Sequence, residues 1–309
     1  MGTPVESRVI FNPAAGRGKA ARTLAEWQRL LDGRAEFCPT THAGHAEDLA
    51  KAAAEAGCRF VAAAGGDGTV HEVANGILRA GRSDVVLVVL PVGSANDYAH
   101  TLDFEFGGKP ELASEPRTVD VGSARAPDGR ERFFINGLGL GFNGAVTLES
   151  RRIHWLRGLP LYGLAFARAL LFHYATPRME IRFDDILRDL STFAVTVALG
   201  RREGNFVVAP QASVVDGWFD YLHAGSLSRW QVLRFMPRLA SGKPLPKDYP
   251  NMWQGRARQV WVQSTAPLIV HTDGEFFSRP EDNVRDLQIT LHPAALRVLP
   301  NHQGWLRGP

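Results

Sequence analysis

Short apolar runs alternate with stretches of helical periodicity over the first hundred residues. The predicted strands cover residues 8–12, 35–41, 59–64 and 85–90, and the predicted helices cover 19–31, 45–57 and 69–80. The run Val-Val-Leu-Val-Val-Leu at 85–90 has no polar face, which is typical of a strand buried on both sides of a parallel sheet. Repeated βα units therefore predict a doubly wound parallel sheet covered by helices, an α/β fold.

The pattern changes at about residue 118, where strand-like runs and turns replace the helices. Helical periodicity persists mainly at 145–174 and 226–240. We therefore predict an α/β domain over residues 1–124 and a β-rich domain over residues 125–289.

Composition narrows the class of protein. The chain has 309 residues, a net charge of +3 and two cysteines, so it is long enough for two cores and has no disulfide framework. The charge excess is too small to predict nucleic-acid binding. No secretory signal or membrane-spanning segment is visible, and the longest apolar stretch, 158–174, is interrupted by Arg168. These features predict a cytoplasmic protein.

Three polar, glycine-containing loops follow predicted strands of the first domain, at residues 12–19, 65–69 and 91–97. In a parallel sheet such loops meet at the carboxyl ends of the strands, where ligands bind. Thr69 with Glu72, and Ser94 with Asp97, are spaced as helix N-caps. Helix N-termini preceded by glycine bind anions, so the loops predict a phosphate site.

Asp67 stands between two glycines in the second of these loops. A carboxylate beside phosphates repels them unless it holds Mg²⁺ or accepts a proton, which favours a catalytic or metal-binding role. The alternative, that Asp67 only caps a turn, stays open. Gly-Leu-Gly-Phe-Asn-Gly at 139–144 matches a dinucleotide fingerprint, but no acid lies between Glu149 and Glu180 to bind a ribose.

Six motifs, in order, carry a resemblance to a known family: NPAAGRG, GGDGTVHEVANGI, PVGSANDYA, FINGLGLGFNGAV, APQASVVDGWFD and HTDGE. In this series the chain resembles the catalytic domain of the diacylglycerol kinase and sphingosine kinase family in its soluble bacterial form. The resemblance implies a C-terminal antiparallel β-sandwich, ATP in the cleft between the domains, and a last segment, 290–309, that returns to the first domain.

The resemblance also implies roles for individual residues. Those expected around the nucleotide are Asn12, Gly16, Arg17, Thr41, Gly66, Gly68, Thr69, Glu72 and Ser94. Those expected in catalysis are Asp67, Asp97, Asp120 and Glu275, with Glu275 as the general base. Asp67 and Asp216 are expected at Mg²⁺. Asn143 and Ala145 stand where relatives carry acids, including the acid associated with a sphingoid amine, so a diacylglycerol-like acceptor fits better.

Basic and aromatic residues predict a lipid-facing side. They are Arg151, Arg152, Trp155, Arg157 and Arg168 in one segment, and Arg229, Arg234, Arg238, Lys243, Lys247, Arg256 and Arg258 in another. Such segments suit peripheral contact with the inner membrane face, although amphipathic helices also serve core packing.

Two alternatives to a lipid kinase stay open: a soluble-substrate kinase of the NAD kinase type, and a catalytically silent nucleotide-binding regulator. The oligomeric state is also open, with a homodimer as one option.

Overall fold

The computed structural model describes residues 6–15, 19–31, 33–107, 115–156, 158–204, 206–241, 246, 249–300 and 305. Side chains are described at all of these except 19–23, 159, 236, 239 and 240. The chain divides into two units, one of residues 1–120 with 294–309 and the other of residues 121–293.

The secondary structure follows the predicted division into an α/β half and a β-rich half. The helices are α1 (Lys19–Leu30), α2 (His45–Glu55), α3 (Asp67–Arg79), α4 (Asp97–Phe106), α5 (Phe142–Arg152), α6 (Gly158–Phe172) and α7 (Arg229–Ala240). The strands are β1 (Ser7–Phe11), β2 (Glu36–Pro39), β3 (Phe60–Gly65), β4 (Val86–Pro91), β5 (Arg117–Arg125), β6 (Glu131–Phe134), β7 (Gly137–Gly141), β8 (Arg178–Phe183), β9 (Ile186–Ala198), β10 (Arg202–Glu203), β11 (Phe206–Val207), β12 (Phe219–Gly225), β13 (Met252–Ala257), β14 (Gln259–Ser264), β15 (Val270–Thr272), β16 (Glu275–Ser278) and β17 (Asp286–Leu299).

The first unit contains a parallel sheet in the order β2-β1-β3-β4-β17. Only the end of β17, Arg297–Leu299, joins this sheet, and it pairs with Val86–Val88. Val88 and Leu90 are buried in one apolar cluster with Trp27 and Leu31 of the first βα unit. Val85, Leu87 and Val89, which alternate with the residues of this cluster, are buried as well, so both faces of β4 are covered and the strand lacks polar residues.

Helices α2 and α3 approach each other closely in the first unit. The buried side chains of α2 are all alanines, including Ala50 and Ala53. Gly76 of α3 lies at the closest point, since a methyl group there would collide with the carbonyl oxygen of Glu47. The small side chains therefore let the two backbones pack directly, which fixes the loop before α2 relative to α3.

The second unit is an antiparallel β-sandwich, as the resemblance implies. One layer has the order β16-β15-β7-β9-β12-β13. The other contains β9, β8, β14 and the first half of β17. The 13-residue β9 belongs to both layers, because its first half pairs with β8 and its second half with β7 and β12.

Glu149 connects the two helices that follow β7. Its side chain is only 1% exposed, and its carboxylate accepts hydrogen bonds from Arg152 at 2.7 Å, Arg168 at 2.5 Å and His173 at 2.9 Å. Burial alone would raise the pKa of the Glu149 carboxyl, but these hydrogen bonds and charges outweigh it and hold the pKa below its ordinary value. The carboxylate thus ties α5 to α6.

Glu149→Gln is expected to lower the free energy of unfolding by about 2 to 3 kcal/mol, because it leaves two arginines without their counter-charge. The loss is below that of a fully buried pair, since both arginines are about half exposed. Urea denaturation measures it. Glu281→Gln, at an exposed acid of the same unit, is the control, and equal effects of both changes would contradict the prediction.

The same ion cluster predicts a pH dependence. A depressed folded-state pKa stabilises the protein above the ordinary value of 4.5, and this contribution is lost as the pH falls through the folded pKa. The stability difference between wild type and Glu149→Gln should therefore be constant above that value and shrink in more acidic solution. A difference that stays constant into strong acid would exclude ionised Glu149 as its source.

Membrane-spanning helices are not found in the part of the chain that the structure describes.

Candidate functional site

Two glycine loops of the first unit touch each other at the carboxyl ends of β3 and β4. A side-chain carbon at Gly93 would lie 2.5 Å from the Cα atom of Gly66, so Gly93 has no room for a larger residue. The amide of Val92 also donates to the carbonyl oxygen of Gly65. The predicted meeting is therefore found for two of the three loops, and it brings the N-termini of α3 and α4 side by side. Residues 16–18 of the loop at 12–19 lie outside the described residues.

Asp67 is the first residue of α3, and its carboxylate reaches the neighbouring helix. One carboxylate oxygen accepts a hydrogen bond from the amide of Tyr98, in the first turn of α4, at 3.3 Å. The carboxylate therefore contributes to the cap of α4 from the start of α3. This contact joins the two glycine loops through one negatively charged group at two helix N-termini.

The predicted N-caps at Thr69 and Ser94 are wrong by three and two residues, respectively. Helix α3 begins at Asp67 with Gly66 as its N-cap, and α4 begins at Asp97 with Asn96 as its N-cap. Thr69 lies inside α3, where its side chain covers Gly65, and Ser94 is exposed in the loop. Helix α3 therefore begins about half a turn before the predicted start at residue 69.

Glu72 supports a different loop from the one expected. Its two carboxylate oxygens accept hydrogen bonds from the amides of Gly44 at 2.9 Å and Ala46 at 3.1 Å. Gly44 is the N-cap of α2 and has a left-handed backbone with a φ of 87°. Glu72 therefore caps α2 from α3 and fixes the end of the loop that carries Thr41.

Glu72→Gln should lower the free energy of unfolding by about 1 to 2 kcal/mol, because glutamine offers one acceptor oxygen to two amides and no charge. Thermal or urea unfolding of the whole protein measures this. Glu55→Gln, at an exposed acid of α2 that forms an ion pair with Lys51 at 3.7 Å, is the control. Unfolding midpoints that are equal for the two variants would contradict the capping role.

The remaining expected nucleotide contacts are only partly described. Asn12 accepts a hydrogen bond from the amide of Ala14 and so closes the turn after β1. Thr41 contacts the ring nitrogens of His42 at 2.9 Å and His45 at 3.0 Å, and the two rings stack 4.9 Å apart. Sequence reasoning missed this histidine pair. Gly16 and Arg17 lie outside the described residues.

Asp97 and Asp120 are both buried, at 6% and 3% exposure. The backbone carbonyl of Asp97 accepts the hydroxyl of Thr101 inside α4. The carboxylate of Asp120 accepts the amide of Ala294, which has a positive φ of 50°, at 2.8 Å. Asp120 therefore stabilises an unfavourable turn in β17. Their expected catalytic roles stay predictions.

The second unit presents Glu275 at the end of a tight hairpin. β15 and β16 are joined by Asp273 and Gly274, both with positive φ, as an Asp-Gly hairpin predicts. The carboxylate of Asp273 accepts the amides of Ile135, Asn136 and Gly137 at 2.8 to 3.0 Å. Asp273 thus anchors the hairpin to the start of β7.

Glu275 forms an ion pair that sequence reasoning did not identify. Arg151 of α5 lies 2.6 Å from one carboxylate oxygen of Glu275 and also donates to the carbonyl oxygen of Gly274. Both side chains are partly exposed, at 52% for Arg151 and 37% for Glu275. The arrangement holds a carboxylate and a guanidinium together at the tip of the hairpin. Arg151 was predicted to face lipid instead.

A buried histidine, His271, lies within the same hairpin and contacts neighbouring strands. His271 of β15 contacts Glu203 of β10 at 2.9 Å, and its ring lies directly over Gly139 of β7. Burial alone would lower the pKa of His271, but the charge and hydrogen bond of Glu203, with the charges of Asp273 and Glu275, hold the pKa above its ordinary value. The pair links two hairpins of the unit.

Asp216, the expected metal ligand of the second unit, lies next to a cation. The guanidinium of Arg256 is 3.2 Å from Asp216 and 3.6 Å from Asp220. Burial raises the pKa of Asp220 above its ordinary value, and the negative charge of Asp216 adds to this rise, while Arg256 opposes it. Across the described ranges no group of three or more acidic, histidine or cysteine side chains could hold a metal by itself. Mg²⁺ at Asp216 stays a prediction.

Comparison with known proteins matches nearly the whole chain to two family models. Residues 6–124 match the diacylglycerol kinase catalytic domain, and residues 137–300 match the YegS C-terminal NAD kinase beta sandwich-like domain. The chain belongs to the diacylglycerol kinase-like lipid kinase family. The resemblance stated from the six motifs is thereby confirmed.

Relatives of the family match along their full length. A diacylglycerol kinase of Mycobacterium tuberculosis is 28% identical over 312 residues, covering 95% of this chain and 94% of its own. A protein of Cronobacter sakazakii named "Probable lipid kinase YegS-like" is 30% identical over 311 residues, covering 96% of each chain. A crystal structure of a diacylglycerol kinase from Bacillus anthracis has a TM-score of 0.66 at 20% identity, covering 97% of this chain and 98% of its own. The α/β and sandwich architecture is therefore that of the family.

Proposed function

We propose that this protein is an ATP-dependent lipid kinase that transfers the γ-phosphate to a hydroxyl of diacylglycerol or a related lipid. One observation carries the proposal: in a member of this kinase family, Asp67 lies between two contacting glycine loops and two helix N-termini. Such a group of amides favours phosphates. An acid beside phosphates repels them unless it binds a cation or accepts a proton, which suits Asp67 to a kinase site.

ATP and Mg²⁺ fit the first unit in different ways. The tight contact between Gly66 and Gly93 leaves backbone rather than side chains facing a phosphate chain. Mg²⁺ bound with a nucleotide needs only one or two carboxylates, because phosphates and water complete its coordination. Asp67 can supply such a carboxylate, so Mg²⁺ does not need a site made entirely of protein ligands. When bound, Mg²⁺ would neutralise the charge that develops on the phosphates.

We assign the acceptor chemistry to the hairpin tip of the second unit. The Glu275 carboxylate takes the proton from the acceptor hydroxyl as that oxygen forms its bond to the γ-phosphorus, and the bond between the β,γ-bridging oxygen and the γ-phosphorus breaks. ADP leaves with the electron pair of the broken bond. Arg151 holds the carboxylate in place and adds positive charge beside it.

The lipid acceptor also determines where the enzyme works. A lipid acceptor resides in a bilayer, so a protein without a described membrane-spanning helix meets it as a peripheral protein. We propose a cytoplasmic protein that works at the inner membrane face.

The test is transfer of labelled γ-phosphate from ATP with Mg²⁺ to a panel of lipids in mixed micelles. NAD and a sample without lipid are the acceptor controls, and Asp67→Asn is the blank. Labelled product from diacylglycerol that disappears in the blank would support the proposal. Labelled NAD would support the soluble-substrate alternative. ATP binding without any labelled acceptor would favour the silent regulator.

A further inference from the structure

Helix α7 of the second unit has two contrasting faces. Val232 and Phe235 are buried at 6% and 7% exposure in the apolar cluster of the unit. On the opposite side, the helical positions i, i+3, i+4, i+7 and i+8 are all exposed. These residues, which we call the outer α7 face, are Trp230, Leu233, Arg234, Pro237 and Arg238. Trp230 is 81% exposed and Leu233 is 42% exposed, so apolar area faces solvent on a helix that already buries its other side.

The charge of this face is positive and uncompensated. Residues 226–241 contain no aspartate or glutamate, and no described acid pairs with Arg234 or Arg238. By contrast, the α5 and α6 arginines that the sequence suggested for a lipid-facing surface are paired with Glu149 or Glu275. Arg157, Lys243 and Lys247 of the predicted basic surface lie outside the described residues. Arg256 pairs with Asp216 and Asp220, and Arg258 lies over the ring of Trp218, so in the described part of the two segments the exposed arginines without an acid partner concentrate on α7.

The end of α6 lies beside the start of α7 and extends the apolar area. The hydroxyl of Tyr174 donates to the carbonyl oxygen of Leu227, and the guanidinium of Arg229 lies 5.1 Å from the centre of the Tyr174 ring. Just before Tyr174, Leu171 and Phe172 are 61% and 63% exposed. Exposed aromatic and aliphatic side chains thus occur together at the junction of the two helices.

We propose that the outer α7 face docks the protein on a bilayer that contains anionic lipid. Tryptophan and leucine with arginines on one exposed helix face are suited to the bilayer interface, where the rings enter the acyl boundary and the guanidinium groups reach the headgroups. The absence of acids in the segment favours a negatively charged surface. The proposal rests on the proposed function, since a lipid acceptor requires contact with a bilayer.

The experiment is sedimentation with vesicles of phosphatidylcholine alone or mixed with phosphatidylglycerol. Trp230→Ser with Leu233→Ser is expected to weaken binding to mixed vesicles at least about tenfold. Arg234→Gln with Arg238→Gln is expected to weaken it about twentyfold and to reduce its salt dependence. The control is Ile186→Ser with Leu187→Ser, at two side chains that are 50% and 52% exposed on another part of the unit. The control should bind as the wild type does.

Tryptophan fluorescence gives a second readout that does not depend on turnover. Addition of mixed vesicles should shift the wild-type emission to shorter wavelength, because Trp230 leaves water. Trp230→Phe should lose most of that shift while it still sediments with the vesicles. An unchanged shift in this variant would assign the burial to another tryptophan and contradict the proposal.

The outcomes separate this proposal from the proposed function. Docking is overturned if the wild type does not sediment, if both outer-face variants sediment like the wild type, or if neutral vesicles bind equally well. It is also overturned if the face instead forms a dimer, seen by analytical ultracentrifugation as self-association that both variants lose. If vesicles bind as expected but no lipid is phosphorylated, the kinase proposal fails and the docking surface stands. Both outer-face variants should keep wild-type turnover on a short-chain, water-soluble diacylglycerol.

Discussion

Asp67→Asn is expected to lower kcat for phosphoryl transfer by about 10²- to 10³-fold, with the fold retained. The substitution is nearly isosteric. The asparagine oxygen can still accept the hydrogen bond from the amide of Tyr98, so the link between the two glycine loops persists. What is lost is the negative charge that would hold or orient Mg²⁺ beside the phosphates. The KM for Mg²⁺ should therefore rise as kcat falls.

The measurement is steady-state transfer to the acceptor identified by the lipid panel, with Mg²⁺ titrated at saturating ATP. Asp103→Asn, at an exposed acid of α4, is the matched control and should keep wild-type activity. Circular dichroism and the unfolding midpoint check the fold of both variants. If Asp67 only caps α4, its variant will lose some stability but keep most of its kcat. That result would remove Asp67 from the catalytic mechanism.

The secondary structure could be predicted from the sequence where it depends on neighbouring residues. Apolar runs and helical periodicity fall within a short window, so the order of β1 to β4 and of α1 to α3 was predicted to within about two residues at most ends. The Asp273-Gly274 hairpin also has a local signal, because its turn type depends on two adjacent residues. The parallel arrangement then placed the three loops at one sheet edge.

Contacts between distant segments could not be read in this way. Asp67 and Glu72 each have an obvious local use, yet their carboxylates cap helices whose first turns lie 26 to 31 residues away in the chain. The hairpin residue Asp273 receives amides 136 to 138 positions earlier. Such pairings depend on how the elements pack, and a sequence window contains no information on them.

The ion pairs of the arginines could not be predicted from the sequence either. Their number and their aromatic neighbours suggested one broad basic surface, because sequence shows charges without their partners. The structure pairs Arg152 and Arg168 with the buried Glu149 and pairs Arg151 with Glu275. Only a three-dimensional arrangement distinguishes these from Arg234 and Arg238, which have no described acid partner. Net charge along a segment therefore overestimates the charge available to a lipid surface.

Glu275→Gln is expected to lower kcat by about 10²- to 10⁴-fold, the range for loss of a general base. The glutamine oxygen can still accept a hydrogen bond from Arg151, so the hairpin tip should keep its conformation. Binding of ATP should be unchanged, because no nucleotide contact is assigned to this unit. Steady-state transfer and a separate ATP-binding titration measure the two effects. Glu281→Gln is the matched control on an exposed acid shortly after β16.

The acidity of the acceptor distinguishes a base from a group that merely positions Arg151. An acceptor with an electron-withdrawing substituent next to its hydroxyl loses its proton more easily, so it depends less on a base. If Glu275 takes the proton, the loss in Glu275→Gln should be smaller for this acceptor than for the ordinary lipid. If the loss is the same for both, Glu275 contributes through its ion pair with Arg151. In that case Arg151→Gln should reproduce the full effect in an otherwise wild-type protein.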